Sequence, residues 1–382
     1  MKKLTDLTFM IVDDMPNMRR TVRSMLTRMG IRKAVIEADD GDRAWEKLQY
    51  APIDFIICDW NMPRMKGIEL LRKMRKDPKY ESVPFLMLTA EVEEGTIAQA
   101  AETEIDAYLI KPFVMKTLMD KIDEAMRRRF EPTEAEILFR KSTDALKTGQ
   151  LKVAYETLQK VLELSPNSAK VHRALGEVFL EGRNVTKAKE SFEKAISLSR
   201  QYTKALDGLA TVYGMEGDLG RQEELLHQAV EISPMAPDRQ LQYGKALLAV
   251  GKEEEAINAL ETSLKQDPES PELARAVGEV FLAADLDQYA TKAFKKAINL
   301  MPNEIHTYNR LGIALRKQKK YLEAIQEYQK ALQKEPENEV ILYNISIAYY
   351  NQGLKQEAKT TLEKLLKINP NHGQAMDALK SL

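Results

Sequence analysis

The chain is poor in the residues that build disulfide scaffolds, metal centres and membrane spans. Its single cysteine, Cys58, excludes an internal disulfide. Set in the apolar run Phe55-Ile56-Ile57-Cys58, it reads as a core residue of a protein from a reducing compartment. The four histidines, His172, His227, His306 and His372, are scattered without metal-ligand spacing, so no chemistry is assigned to them. No run of about 18 apolar residues occurs, and the first residues have two lysines but no long apolar segment. Neither membrane insertion nor secretion is expected, and the chain reads as cytoplasmic. An excess of one charge is also missing, since 57 Lys and Arg stand against 58 Asp and Glu. A general nucleic-acid binder relies on clustered positive charge, so nucleic acid is not an expected partner.

What is present changes character once. Up to about Phe130, apolar runs of strand length (Phe9-Met10-Ile11-Val12, Ala34-Val35-Ile36, Phe55-Ile56-Ile57-Cys58, Phe85-Leu86-Met87-Leu88 and Tyr108-Leu109-Ile110) alternate with amphipathic segments. Five such units predict an α/β doubly wound domain over residues 1–130, with a five-stranded parallel sheet covered on both faces. Ligands of such sheets bind at the carboxyl ends of the strands, where strand order reverses. Arg127-Arg128-Arg129, at the end of the last amphipathic segment, reads as a solvated helix terminus rather than a binding patch.

After the short link 131–134, strand-like runs disappear and a repeat takes over. Prolines stand at 166, 234, 268, 302, 336 and 370, each gap being 34 or twice 34, with Arg200 in the missing slot. On this period an apolar residue and a small one recur at Leu175-Gly176, Leu209-Ala210, Tyr243-Gly244, Val277-Gly278, Leu311-Gly312 and Ile345-Ser346. A later slot holds Ala154, Ala188, Ala256, Ala290, Ala324 and Ala358, interrupted by Gln222. Small residues let two helices approach, and proline stops the second helix from running into the next unit. The pattern resembles the tetratricopeptide repeat, which implies an all-α superhelix over 135–382, of about seven repeats plus a capping helix. The first repeat departs from it, with Lys141-Ser142 in place of the apolar-Gly pair, so its helices are expected to pack differently against the receiver.

Asp13 and Asp14 end the first strand run, Asp59 the third, Thr89 the fourth and Lys111 the fifth, so all should meet at one sheet edge. Crowded carboxylates resist full ionisation unless a cation neutralises them. Their hard oxygens suit Mg²⁺, which leaves room for phosphate oxygens, and a lysine ammonium adds a point charge for the same oxygens. The set suits phosphoryl transfer, with a carboxylate as nucleophile.

At these residues the resemblance becomes specific. Val12-Asp13-Asp14, Asp59-Trp60-Asn61-Met62-Pro63 with Gly67, Leu88-Thr89-Ala90-Glu91 and Lys111-Pro112-Phe113 resemble the CheY-like receiver domain of two-component response regulators, which has the flavodoxin-like fold. The resemblance implies Asp59 as phosphoacceptor for a sensor histidine kinase. It implies Asp14 and Asp59 as direct Mg²⁺ ligands, with the Asn61 backbone carbonyl, and Asp13 acting largely through water. It further implies Lys111 and Thr89 on the phosphoryl oxygens, Tyr108 as the aromatic that turns inward, and a cis Lys111-Pro112 bond. Asn61 and Glu91 are implied to tune dephosphorylation. Trp60 is expected to border the site.

For the repeats, the resemblance implies a groove lined by the first helix of each unit, which binds a protein or peptide that the sequence does not name. Candidate lining residues are Arg275, Asn309, Arg316, Tyr343 and Tyr350. The chain therefore reads as a phosphorelay response regulator whose receiver modulates protein binding by the repeats. The alternative is a chemotaxis-type regulator whose receiver itself binds the target, such as a flagellar motor component, with the repeats as a localisation scaffold. Neither reading makes the chain an enzyme beyond the receiver's own phosphotransfer and autodephosphorylation. No helix-turn-helix follows the receiver, and outside it there is no nucleophile with its base and no Gly-rich phosphate loop.

Overall fold

The computed structural model describes residues 4–31, 33–90 and 105–382, in two compact units, Met1–Pro234 and Met235–Leu382. The first unit opens on five parallel strands: β1 (Phe9–Val12), β2 (Val35–Ala38), β3 (Phe55–Asp59), β4 (Phe85–Thr89) and β5 (Ala107–Ile110). Their order is β2-β1-β3-β4-β5, so the chain leaves β1 to one side and then returns to its other side. The reversal therefore lies between β1 and β3.

Alternate residues of the central strands feed two cores, which is why these runs are apolar throughout. Met10, Val12, Ile56, Cys58, Phe85 and Met87 point into one. They pack there with Ala44 and Leu48 of α2 (Gly41–Tyr50) and Ile68, Leu71 and Met74 of α3 (Gly67–Lys76). Phe9, Ile11, Phe55, Ile57, Leu86 and Leu88 point into the other. Val22 and Leu26 of α1 (Pro16–Arg28) and Leu118, Ile122 and Met126 of α4 (Met115–Phe130) cover that face. The predicted two-sided parallel sheet is thus observed.

From Glu134 onward the chain is helical. Seven helix pairs run from Glu134–Lys147 with Leu151–Leu164 to Glu339–Gln352 with Lys355–Ile368, and Gly373–Ser381 follows as a final helix. The seam within each pair explains the small residues. A Cβ added to Gly278 would lie 2.6 Å from the Phe294 ring, and one on Gly312 would lie 2.4 Å from the Tyr328 ring. Gly176 meets Phe192 and Gly244 meets Leu260 in the same way. The small residue of the first helix is the socket for a large residue of the second.

The seam of the first pair is like the others although it lacks the apolar-Gly pair. Ser142 fills the small slot, buried, with its hydroxyl donating to the Phe139 carbonyl at 2.6 Å, and Leu158 is buried in the same cluster as Ala145 and Ala154. One expectation changes here, because the arginine run is not simply a solvated terminus. Arg127 is exposed as expected, but Arg129 ion-pairs with the buried Asp106 at 3.8 Å and donates to the Ser82 carbonyl at 3.0 Å. Arg128 donates to the Asp106 carbonyl at 3.1 Å. These bonds tie the end of α4 to the entry of β4 and β5. No helix among the described residues is long and apolar enough to cross a membrane.

Candidate phosphoryl-transfer site

The strand register sets the site. Val12 pairs with Cys58 and Asp59 with Leu88, which brings Asp13 and Asp59 side by side at the carboxyl edge. Thr89 pairs with Ile110, and the Lys111 N–H donates to the Thr89 carbonyl at 2.7 Å. Lys111 is thereby delivered to the same edge from β5. Its Nζ donates to Asp13 Oδ2 at 2.8 Å and to Asp59 Oδ1 at 2.5 Å. The Lys111-Pro112 bond is cis, as expected.

The second oxygens have their own donors. Asp13 Oδ1 accepts the Met15 N–H at 2.9 Å, and Asp59 Oδ2 accepts the Asn61 N–H at 3.1 Å. Asp13 and Asp59 are buried while Asp14 is exposed. The loop beyond Asp59 turns back tightly against the end of β3. The Gly67 N–H donates to the Trp60 carbonyl at 3.1 Å, and a Cβ on Gly67 would stand 2.1 Å from the Asp59 carbonyl oxygen. Arg64, at φ 60°, ion-pairs with the buried Asp40, and the Gly41 N–H donates to the Met65 carbonyl.

Burial pushes the Asp59 carboxyl above its ordinary range. The Lys111 bond and charge oppose that rise, and Asp13 adds to it. For Lys111, burial acts downward, but its bonds to Asp13 and Asp59 outweigh it and leave the ammonium raised. Lys111 is therefore a fixed cation, and Asp59 a carboxylate held at some cost. One ammonium is bonded to Asp13 and Asp59 while Asp14 stands exposed next in the chain, so the edge has a surplus of negative charge and hard oxygens. That donor set fits a hard divalent cation. Among the described residues, no three His, Cys, Asp or Glu side chains already converge on a common metal position, because Lys111 lies between Asp13 and Asp59. Burial also raises the Cys58 thiol well above its usual value, so it stays protonated and inert, as its place in the run suggested.

The other predicted residues fall less neatly. Thr89 is buried at the end of β4. Tyr108 is 38% exposed, with Lys121 Nζ 5.5 Å from its ring centroid. Trp60 does not border the edge with its indole, which is buried in the core under α2 and α3. Strand alternation accounts for this, since Cys58 and Trp60 share a face and Asp59 takes the other direction. Glu91 lies outside the described residues.

In the second unit, the candidate groove residues are mostly engaged within the array. Arg275 pairs with Glu304 at 3.6 Å, Asn309 accepts from Asn344 at 2.9 Å, and the Tyr343 ring lies 5.5 Å from that of His372. Arg316 and Tyr350 remain, the latter 46% exposed. Sequence reasoning missed Arg75, Asp106 and Arg129. Arg75 meets Asp106 at 2.8 Å across 31 positions, and no local signal marks such a pair.

Residues 9–123 match the response regulator receiver domain family. Residues 315–382 match a tetratricopeptide repeat family, and 96–341 match the cilia and flagella-associated protein 70 C-terminal domain. The chemotaxis protein CheY-3 of Vibrio cholerae is 40% identical over 123 residues, which is 32% of this chain and 94% of the relative. CheY of Pseudomonas aeruginosa is 39% identical over 122 residues, again 32% of this chain and 98% of that protein. A solved tetratricopeptide protein fragment from Cytophaga hutchinsonii aligns over 63% of this chain and 99% of its own, at 18% identity and a TM-score of 0.52, a likeness of fold alone. The matched families are those of signalling and scaffold proteins, and none is a classical enzyme family. With the sheet, its edge and the helix pairs described, the chain belongs to the CheY-type response-regulator receiver family, fused to a tetratricopeptide array.

Proposed function

We propose that the chain is a phosphorelay response regulator in which a sensor histidine kinase phosphorylates Asp59 and the repeats bind a partner protein. In this reading residues 1–130 form the receiver, 131–134 the link and 135–382 the array, and the protein acts in the cytoplasm. The observation that carries it is the Lys111 ammonium held between Asp13 and Asp59 at the reversal of a parallel sheet.

An Asp59 carboxylate oxygen attacks the phosphorus as its bond to the kinase's histidine nitrogen breaks, and the imidazole leaves as the neutral ring, taking a proton from solvent. Lys111 stays charged throughout and transfers its attraction to the phosphoryl oxygens, and the Thr89 hydroxyl is within the same strand-end group to donate to them. Mg²⁺, held by Asp14, Asp59 and the Asn61 carbonyl with Asp13 acting largely through water, would neutralise charge on the transferred group. Asn61 with Glu91 would set how fast the acyl phosphate hydrolyses.

Labelling with acetyl phosphate tests the assignment. Wild-type protein should label in Mg²⁺ and Asp59→Asn should not, because the amide is no nucleophile. Undiminished labelling of Asp59→Asn would sink the reading. The chemotaxis relatives favour keeping the second reading, in which the receiver itself contacts the target. Pull-downs with the full chain and with Arg316→Gln, with and without phosphorylation, separate them, since only the first reading routes phosphorylation-dependent capture of the target through the array.

A further inference from the structure

The first helices of the fifth, sixth and seventh pairs, Pro271–Ala283, Ile305–Lys317 and Glu339–Gln352, lie next to one another and present one face. Its charge is mostly answered from within. Arg275 meets Glu304, Arg310 meets Glu279 through both nitrogens of its fork, and Lys317 meets Asp285 at 2.5 Å. Arg316 differs. Its Nη1 is buried without an acceptor, and so is the hydroxyl of the fully buried Tyr328. Tyr328 lies close enough for the guanidinium to act on it: burial pushes its phenol up to about 12, with Arg316 opposing.

One period beyond Arg316 stands Tyr350. The helix that carries it is apolar on both sides. Ile341, Leu342, Ile345 and Ala348 are buried inward, yet Val340 is 58% and Tyr350 46% exposed on the face, with Ile347 and Tyr343 half-buried between them. A surface helix ordinarily turns a polar side outward. Here the outward side is apolar, and it adjoins a cation with an unanswered donor.

We propose that this face receives an extended segment of a partner protein, with an acidic side chain on Arg316 and an apolar side chain on Val340, Ile347 and Tyr350. This rests on the reading of the array as a protein-binding module, and adds the chemistry of what it binds. Charge complementarity selects the acid, since the other cations of the face already have carboxylates while the half-buried Arg316 has none among the described residues. Geometry selects the spacing. Packed helices are about 9 Å apart and a chain in the extended polyproline II form advances about 3.1 Å per residue with every third side chain on one side, so the two side chains should be about three positions apart.

The test uses the full chain and fluorescein-labelled nonapeptides on a Gly-Ser background, read by anisotropy. One carries Glu and, three positions on, Leu; controls replace Glu by Gln or Leu by Ser. The Glu peptide should bind about fivefold more tightly than the Gln peptide, the difference between a charged and a neutral hydrogen bond. That preference should vanish in Arg316→Gln and persist in part in Arg316→Lys, while Tyr350→Ala should erase the preference for Leu over Ser. Equal binding of the Glu and Gln peptides by the wild type overturns the inference and leaves a protein-binding array standing, a comparison that needs no variant to fold. Binding of none of the peptides overturns both. If light scattering shows a dimer that Tyr350→Ala dissociates, the face pairs with a second copy and the proposal fails.

Discussion

In the sheet domain, the side chains that matter come from far apart in sequence. Lys111 and Asp13 are 98 positions apart and yet share a hydrogen bond. In the array, the decisive contacts are near neighbours in a repeating frame, with Gly312 facing Tyr328 and Gly278 facing Phe294 at the same offset. A non-local site is all or nothing, because each strand must be in register before any of it exists. A repeat array divides its stability among adjoining units, so damage stays near where it is made. The receiver should thus lose its function through a single change, while a change in the array should disturb the units around it and leave the receiver's function intact.

The largest effect expected is the loss of labelling in Asp59→Asn, and the comparison is sharpened by what that variant does to folding. Burial raises the Asp59 carboxyl, so its native value lies above the unfolded one. Its contribution to stability is full below about pH 4, the unfolded value, and is lost as pH rises through the raised native value. At pH 7 without Mg²⁺, Asp59→Asn should therefore melt higher than wild type. The gap should close in acid, where both forms are neutral. Mg²⁺ should reverse the order by stabilising only the wild type, by about 2.7 kcal/mol at a hundredfold excess over its dissociation constant. A thermal scan in which Asp59→Asn melts lower at pH 7 and responds to Mg²⁺ like wild type would break the contrast.

Next in size are the two glycines that face each other across the comparison. Gly67→Ala would drive a Cβ to 2.1 Å from the Asp59 carbonyl oxygen, which is backbone and cannot turn aside. A cost of about 3 kcal/mol and failure to label are expected. Gly312→Ala would meet the Tyr328 ring at 2.4 Å, and a ring can shift within the seam. Roughly 1–3 kcal/mol should be lost there, with hydrogen exchange rising in the fifth to seventh pairs and labelling of Asp59 unchanged. Global unfolding of the receiver in Gly312→Ala would show that the halves are not separable in this way.

How much of this was legible in the sequence follows the same divide. Runs such as Phe85-Leu86-Met87-Leu88 announce strands buried on both faces, and the ends of those runs announce the edge, so Asp13, Asp59, Thr89 and Lys111 could be placed together. The glycine spacing announced the helix seams. What stayed hidden were side-chain directions and partners. Trp60 follows Asp59 by one residue and for that reason points away from it, which alternation could have told. Arg129 looked like a terminal cation because nothing local marks Asp106, 23 positions earlier, as buried. The groove ion pairs do have a signal that went unused: Glu279 and Arg310, and Asp285 and Lys317, are 31 and 32 positions apart, close to one repeat. Charges of opposite sign at that spacing are candidates to satisfy each other and not a ligand.

The smallest effect concerns the point where the two kinds of architecture touch. Thr133 caps the first array helix, in a reciprocal box with Glu136. The helix therefore starts at Glu134, and Pro132 stands just outside it. Arg140, on this first array helix, donates to the Arg128 carbonyl at 2.9 Å. Arg128 itself donates to the Asp106 carbonyl, so the last turn of α4 is held on one side by the sheet and on the other by the first repeat. At the opposite end of α4, Lys111 stands only four residues before Met115. Any shift of Lys111 towards a phosphoryl group on Asp59 thus has a short path through α4 to Arg140. A hydrogen bond of this kind contributes about 0.5–1.5 kcal/mol, which bounds the coupling at about tenfold and makes it a bias, not a release. Beryllofluoride, a mimic of the phosphoryl group, should alter hydrogen exchange across residues 135–165 in the wild type. In Arg140→Ala, or with a Gly-Ser stretch inserted after Glu131, that response should fall towards zero while Asp59 still labels. If the wild type shows the same exchange with and without beryllofluoride, the array does not sense the receiver.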